Sequence, residues 1–149
     1  MSELRIEKRG HVVVVILDNP PVNAVSPDWD VPGTFDRITA DPEARVVVLT
    51  GQGDRVFCAG ADIKSAARGD RALRPERTRS RDGREMLYAV TECAVPVIGA
   101  INGAAVGGGL ALAASCDYLI ASERAVFGLP EIDVGLLGGA RHAMRLFPA

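Results

Sequence analysis

The chain has 149 residues, 48% of them hydrophobic and 24% charged, a balance that suits one globular domain with a real core and excludes a disordered polymer. Its formal net charge of −2 gives no whole-molecule attraction for nucleic acid or an anionic membrane. Cys58, Cys93 and Cys116 stand far apart with no CxxC pair, which argues against a disulfide framework or a zinc site and for reduced thiols in a cytoplasmic setting. The opening MSELRIEKRG lacks the apolar core of a signal peptide, so secretion is not expected.

The segment LRIEKRGHVVVVILD alternates and then becomes continuously β-branched after Gly10, which predicts two strands joined as an antiparallel hairpin. NPPVNAVSP is turn chemistry, and Ser26-Pro27 is suited to cap and start a helix, of which Pro32-Gly33 leaves little regular structure. RVVVLT at 45–50 suits the interior of a parallel sheet and ends at Gly51 and Gly53. In FCAGADIKSAA a glycine and small residues lead from a strand into a helical segment. From Lys64 to Arg84 eight basic residues in 21 face only Asp70, Glu76 and Asp82, which reads as a solvated helix–loop segment or, functionally, as a phosphate-binding rim. Val95 to Ile101 is a buried strand, and a buried helix starts near Gly108. Tyr118 to Ala121 and Ala125 to Gly128 read as short strands, before a turn and a helix from about Gly138. Strands alternating with helices imply the α/β class. The order strand, turn, helix at 46–67 echoes 97–115, so two glycine-bearing turns are expected to face one another across a cleft.

The stretch NGAAVGGGLALAASCD at 102–117 runs a strand into three consecutive glycines that open a small, uncharged helix. Without Cβ atoms the backbone can approach a ligand, and the unpaired first-turn N–H groups carry the positive end of the helix dipole. Such a turn binds an anion or holds an oxygen that becomes negative during reaction. The competing reading is close packing of helix on sheet. The 24 uncharged residues from Cys93 to Cys116 meet the length of a membrane span, but Pro96, Asn102 and five glycines interrupt them. Neither glycine cluster completes GxGxxG, since Val56 and Leu112 occupy the third places, and no phosphate-binding GxxxxGK[ST] loop or GxSxG elbow is present. His11 and His142 are the only histidines, which leaves metal hydrolysis poorly supported. The chemistry that remains is backbone donors and carboxylates.

FCAGADIK at 57–64, NGAAVGGGLALAASCD at 102–117 and FGLPEIDVG at 127–135, in this order and spacing, resemble the enoyl-CoA hydratase/isomerase (crotonase) family. VNAVS at 22–26 resembles that family's early NAL-S segment. The resemblance implies a crotonase-like (ClpP/crotonase) α/β superhelix of ββα units, a single domain over 1–149 that is C-terminally short relative to the family. It implies that the backbone N–H groups of Ala61 and Gly108 form an oxyanion hole around an acyl-CoA thioester oxygen, and that Glu131 serves as acid and base. Ala24, Ala59, Ala61, Asp62, Ile63, Lys64 and Gly108 are implied to line the bound substrate. Asp62 also fits an N-cap of the helix that follows, and Asp133 is expected to be exposed. No metal or redox cofactor is implied, because coenzyme A arrives as part of the substrate; the arginine-rich 68–84 segment is the candidate for its phosphates. A homo-oligomer, trimer or hexamer, with no nucleic-acid or membrane partner completes the picture.

The sequence departs from the family pattern in three places. Ala111 stands where the second hydratase glutamate falls. Hydration needs water activated for attack at C3 while a proton reaches C2, and a general acid–base group contributes ~10²–10⁴-fold to such work. A single carboxylate can still move a proton between carbons while an oxyanion hole carries the enolate. Residues 141–146, RHAMRL, replace a Gly-Gly-Thr-Gln-Arg-Leu pattern, which makes His142 either a substitute proton carrier or a packing residue. The chain also stops at Pro148-Ala149, before the family's C-terminal helical region, so uncovered apolar surface is expected unless chains associate. The expected function is an acyl-CoA-processing hydratase or isomerase; an isomerase or dehydratase rather than a hydratase, and a non-catalytic acyl-CoA-binding protein, are its alternatives.

Overall fold

A computed structural model describes residues 3–26, 28–61, 76–134 and 146. Strands β1 (Glu3–Arg9) and β2 (Val12–Asp18) form the expected antiparallel hairpin, turning at Gly10 with φ of 61°. Then come α1 (Val31–Thr39), β3 (Val46–Gly51), β4 (Val56–Cys58), α2 (Glu76–Thr91), β5 (Val97–Ile101), β6 (Ala104–Val106), α3 (Gly108–Ala113), β7 (Tyr118–Ala121) and β8 (Phe127–Gly128). A 3-10 turn, Pro130–Val134, follows β8.

These strands build two sheets. The larger has the order β1-β2-β3-β5-β7 and is parallel from β2 onward; the smaller has the order β4-β6-β8 and is parallel throughout. Each pair β3–β4, β5–β6 and β7–β8 therefore contributes its first strand to one sheet and its second to the other. The strand-and-turn part of the echo expected between 46–67 and 97–115 is present, while the helical residues 62–67 lie outside the described residues; a third strand pair follows at 118–128. At 97–115 the second strand, β6, escaped the sequence reading, which went straight from Ile101 to the glycines.

The larger sheet follows from β-branched alternation. In β3 and β5 every second residue is buried, and Val13, Val15, Leu17, Val47, Leu49, Val97 and Ile101 enter one core with Phe35 and Ile38 of α1 and Leu87 and Val90 of α2. The helix expected from Ser26-Pro27 is displaced. Helix α1 begins at Val31, because the Asp30 side chain accepts from the Gly33 N–H at 2.9 Å and Pro32 falls in the first turn, where its missing N–H costs nothing. The Ser26 hydroxyl instead accepts from the Asp28 N–H within the preceding turn. Of the basic stretch at 64–84, residues from Glu76 onward belong to α2, a 16-residue helix that supplies the helical part of the helix–loop reading; residues 64–75 lie outside the described residues. The uncharged run at 93–116 is a strand, a turn, a second strand and a six-residue helix, and among the described residues no helix is long and apolar enough to cross a membrane.

Candidate active site

The small sheet brings the two glycine turns together. Both β4 and β6 end within two residues of a positive-φ glycine: Gly60 at 79° and Gly107 at 55°. A Cβ on Gly60 would lie 2.8 Å from the Gly108 nitrogen, and a Cβ on Gly108 would lie 3.5 Å from the Gly60 Cα and 3.7 Å from the Ala61 nitrogen. The turns at 60–61 and 107–108 thus meet backbone to backbone, as the repeat predicted.

Each glycine of the run answers to a different constraint. Gly107 needs its positive φ, and a Cβ there would press to 3.3 Å from Glu131 Oε1. Gly108 faces the Ala61 nitrogen across space that a side chain would occupy. At Gly109 a Cβ would fall 2.0 Å from the carbonyl oxygen of Cys58, so only glycine lets the first turn of α3 lie against β4. Close packing, the rival reading of the run, is correct for this third glycine.

The neighbouring backbone groups are engaged. The Gly60 N–H donates to the Cys58 sulfur, the Gly60 carbonyl accepts from Val25 N–H at 2.7 Å, Ala59 N–H donates to Val22 O at 3.1 Å, and Gly107 N–H donates to Gly128 O at 2.9 Å. Among the described residues the N–H groups of Ala61 and Gly108 have no acceptor. Two adjacent donors without acceptors there, from the turns that follow two strands of one sheet, form a place for a ligand oxygen.

Glu131 arrives by register. Pairing of Ala105 with Phe127 and of Val106 with Gly128, followed by the Gly107–Gly128 hydrogen bond, carries the chain into the 3-10 turn that sets Glu131 beside the glycines. Its Oε2 is buried and makes no hydrogen bond, a state shared among the described side chains only with Trp29 Nε1. An unpartnered buried carboxylate oxygen is costly and calls for a role. Asp133 is exposed, as expected.

Ala24 is buried beside the site, since Val25 bridges Ala61, and Ala59 is half-buried in the turn. Asp62, Ile63, Lys64 and His142 lie outside the described residues. Ala111 is 3% exposed and belongs to the apolar core, with no carboxylate in its place. The sequence reading did not notice Cys58 as a participant: burial pushes its thiol up to about 11, against the Gly60 N–H bond that lowers it. The three cysteines are free, and no cluster of metal-ligating side chains occurs among the described residues. An open depression of about 450 Å³ beside Cys116, Asp117, Tyr118 and Leu146 shares no residue with the paired turns. Because the turns bring the two backbone donors beside Glu131, they are the better candidate.

The enoyl-CoA hydratase/isomerase family model matches residues 7–147. The chain belongs to that family. It is 39% identical over 147 residues to a carnitinyl-CoA dehydratase of Proteus mirabilis, a match that covers 97% of this chain and 55% of the relative. It is 45% identical over 141 residues to a (7aS)-7a-methyl-1,5-dioxo-2,3,5,6,7,7a-hexahydro-1H-indene-carboxyl-CoA hydrolase of Mycobacterium tuberculosis, covering 92% of this chain and 56% of that one. Among solved structures, DspI of Pseudomonas aeruginosa superposes with a TM-score of 0.87 at 36% identity, over 96% of this chain and 59% of that one. The architecture of paired strands wound into two sheets is thus the crotonase fold of the hydratase/isomerase family. The chain spans about half the length of the curated relatives it matches.

Proposed function

We propose that the protein processes acyl-CoA thioesters, with the N–H groups of Ala61 and Gly108 as donors to the thioester oxygen and Glu131 as the proton carrier. The observation that carries the reading is the conjunction of two adjacent backbone donors that have no acceptor among the described residues with a carboxylate whose buried Oε2 has no partner among them. Family membership supplies the substrate class. With the oxygen held by two peptide N–H groups, charge developing on it as a C2 proton leaves is stabilised by dipoles already in place, a contribution of roughly 3–4 kcal/mol per donor. Glu131 takes the proton and returns it to another carbon, or delivers it to a leaving hydroxyl. No metal or redox cofactor enters these steps.

The burial of Ala111 in the apolar core favours isomerisation over two-carboxylate water chemistry, since no second carboxylate stands there to activate water; dehydration through Glu131 alone, with the hydration that is its reverse, is the second reading. A homo-oligomer, trimer or hexamer, completes the proposal, supported by the exposed Tyr118, Ile120, Val126, Phe127 and Leu129 on the edge strands β7 and β8 and the turns beside them.

Incubation with a panel of enoyl- and hydroxyacyl-CoA thioesters, followed by mass-spectrometric identification of products, tests the reading. A product isomeric with its substrate, or one lighter by water, is expected; a solvent-derived mass gain would mean hydration. Glu131→Gln is expected to lose ~10²–10⁴-fold in turnover. Thioester binding with no Glu131-dependent reaction would replace the enzyme with a non-catalytic acyl-CoA-binding protein.

A further inference from the structure

Three loops converge on the segment that leads into β4. The carbonyl oxygen of Val56 accepts from two side-chain amides at once, Asn23 Nδ2 at 2.8 Å and Asn102 Nδ2 at 3.3 Å. Asn23 Nδ2 also donates to Gln52 O at 3.0 Å, and Asn102 Nδ2 to Gly53 O at 2.9 Å, while Asn102 Oδ1 accepts from Gly51 N–H at 3.1 Å. Two asparagines, 79 positions apart in the sequence, thereby grip one short turn from both sides.

The Asn23 side is built at a cost. Asn23 is 3% exposed and is the one non-glycine residue with positive φ, 50°, among those described. Asparagine tolerates that conformation better than other side chains with a Cβ, and its Oδ1 is tied back to the Asn19 N–H at 3.2 Å. A glycine would suffice for the backbone, so the amide accounts for the asparagine. On the other side, Gly103 lets the 102–103 backbone approach Arg55 so closely that a Cβ would fall 2.1 Å from its carbonyl.

What each loop carries makes the convergence meaningful. Asn23 precedes Ala24 and Val25, and Val25 pairs with the Gly60–Ala61 turn. The gripped turn continues through β4 to Gly60 and Ala61. Asn102 opens the connection into β6, which ends at Gly107 and Gly108. The Val56 carbonyl is thus the common point of the three segments that meet at the paired donors.

We propose that Asn23 and Asn102 are positioning residues that set the Ala61 donor against the Gly108 donor, an inference that rests on the oxyanion reading above. Neither side chain touches substrate. Each acts by fixing where β4 starts, four to five residues ahead of the donor turn, within the tolerance of a fraction of an ångström that hydrogen-bond polarisation requires.

The test reads the donors directly. The 149-residue chain is mixed with a thioester carbonyl-labelled with carbon-13, and the infrared carbonyl stretch of the bound ligand is recorded for wild type, Asn102→Asp, Asn23→Gly and Asp30→Ala. Asn102→Asp keeps the acceptor for Gly51 but turns a donor into an acceptor facing Val56. Asn23→Gly keeps the positive φ and loses the amide, so it remains readable even where the first variant folds poorly. Asp30→Ala removes the α1 cap, a comparable loss of structure with no link to the turn. Wild type is expected to show the stretch moved to lower frequency; each asparagine variant that folds loses a large part of that displacement and about tenfold or more in kcat with KM changed less than about threefold, while Asp30→Ala retains both. A wild-type displacement that persists undiminished in the folded asparagine variants overturns the positioning role alone. A wild-type ligand bound without any displacement overturns the oxyanion reading and this inference with it.

Discussion

The two sheets are made on different principles. The five-stranded sheet is built from branched apolar side chains of four to seven residues per strand, and side-chain burial holds it. In the three-stranded sheet the strands are two or three residues long, and glycines and alanines crowd the turns that leave β4 and β6. There the determining contacts are backbone against backbone, at Gly60, Gly108 and Gly109. Bulk makes a sheet stable and tolerant; its absence lets peptide groups approach a ligand and leaves little tolerance at all.

That contrast can be broken by adding one methyl group. Gly109→Ala places a Cβ 2.0 Å from the Cys58 carbonyl, so α3 must separate from β4. Loss of cooperative unfolding and of thioester binding is expected, measured by circular dichroism and isothermal titration. The same substitution one residue earlier should act quite differently. In Gly108→Ala the new Cβ meets only ordinary contacts at 3.5–3.7 Å, but it occupies the space between the two donors. Near wild-type melting with turnover down roughly 100-fold is expected, in line with loss of an oxyanion donor; unchanged turnover would displace the ligand oxygen from this gap.

In the large sheet, removing bulk sharpens the comparison from the other side. Leu49→Ala, at a residue 1% exposed, should cost ~2–5 kcal/mol and lower Tm by about 10 °C. Turnover per folded molecule should stay within about twofold, as measured below the melting range. The smallest effect is the response to alkali. Burial pushes Cys58 up to about 11, and burial with the Asp117 charge pushes Cys116 to about 12, from an ordinary 9.0. The unfolded chain therefore releases these protons first, so their contribution is intact below pH 9 and is lost as pH rises toward 12. Urea midpoints measured between pH 9 and 11 should fall, and should fall less steeply in Cys58→Ala.

Legibility follows the same division. The strands of the large sheet announce themselves through alternation, and β1 to β3, β5 and β7 fall within a residue or two of where the sequence puts them. β6 is too short and small-sided for any period, so Ala104–Val106 reads as an approach to the glycines rather than a strand, whereas β8 falls inside the short strand read at 125–128. Helix α2 starts in a run of charges that reads as a solvated helix–loop segment with no clear start, and only Leu87 and Val90 toward its end reveal a buried face. Of the site, the two glycine turns and their meeting are legible from the repeat. Glu131 comes from family resemblance, because its place depends on parallel register between β6 and β8. The asparagine grip on Val56 could not be read at all, since it joins residues brought together only by the fold.

The three adjacent glycines also bear on how substitutions here would be scored. In a saturation survey read by cellular abundance, position 109 would tolerate nothing while position 108 would accept small residues. Read by turnover, the two would look equally intolerant. Abundance and activity maps of this chain should therefore diverge most sharply across a single peptide unit, where a residue that holds the fold sits beside one that the fold can spare.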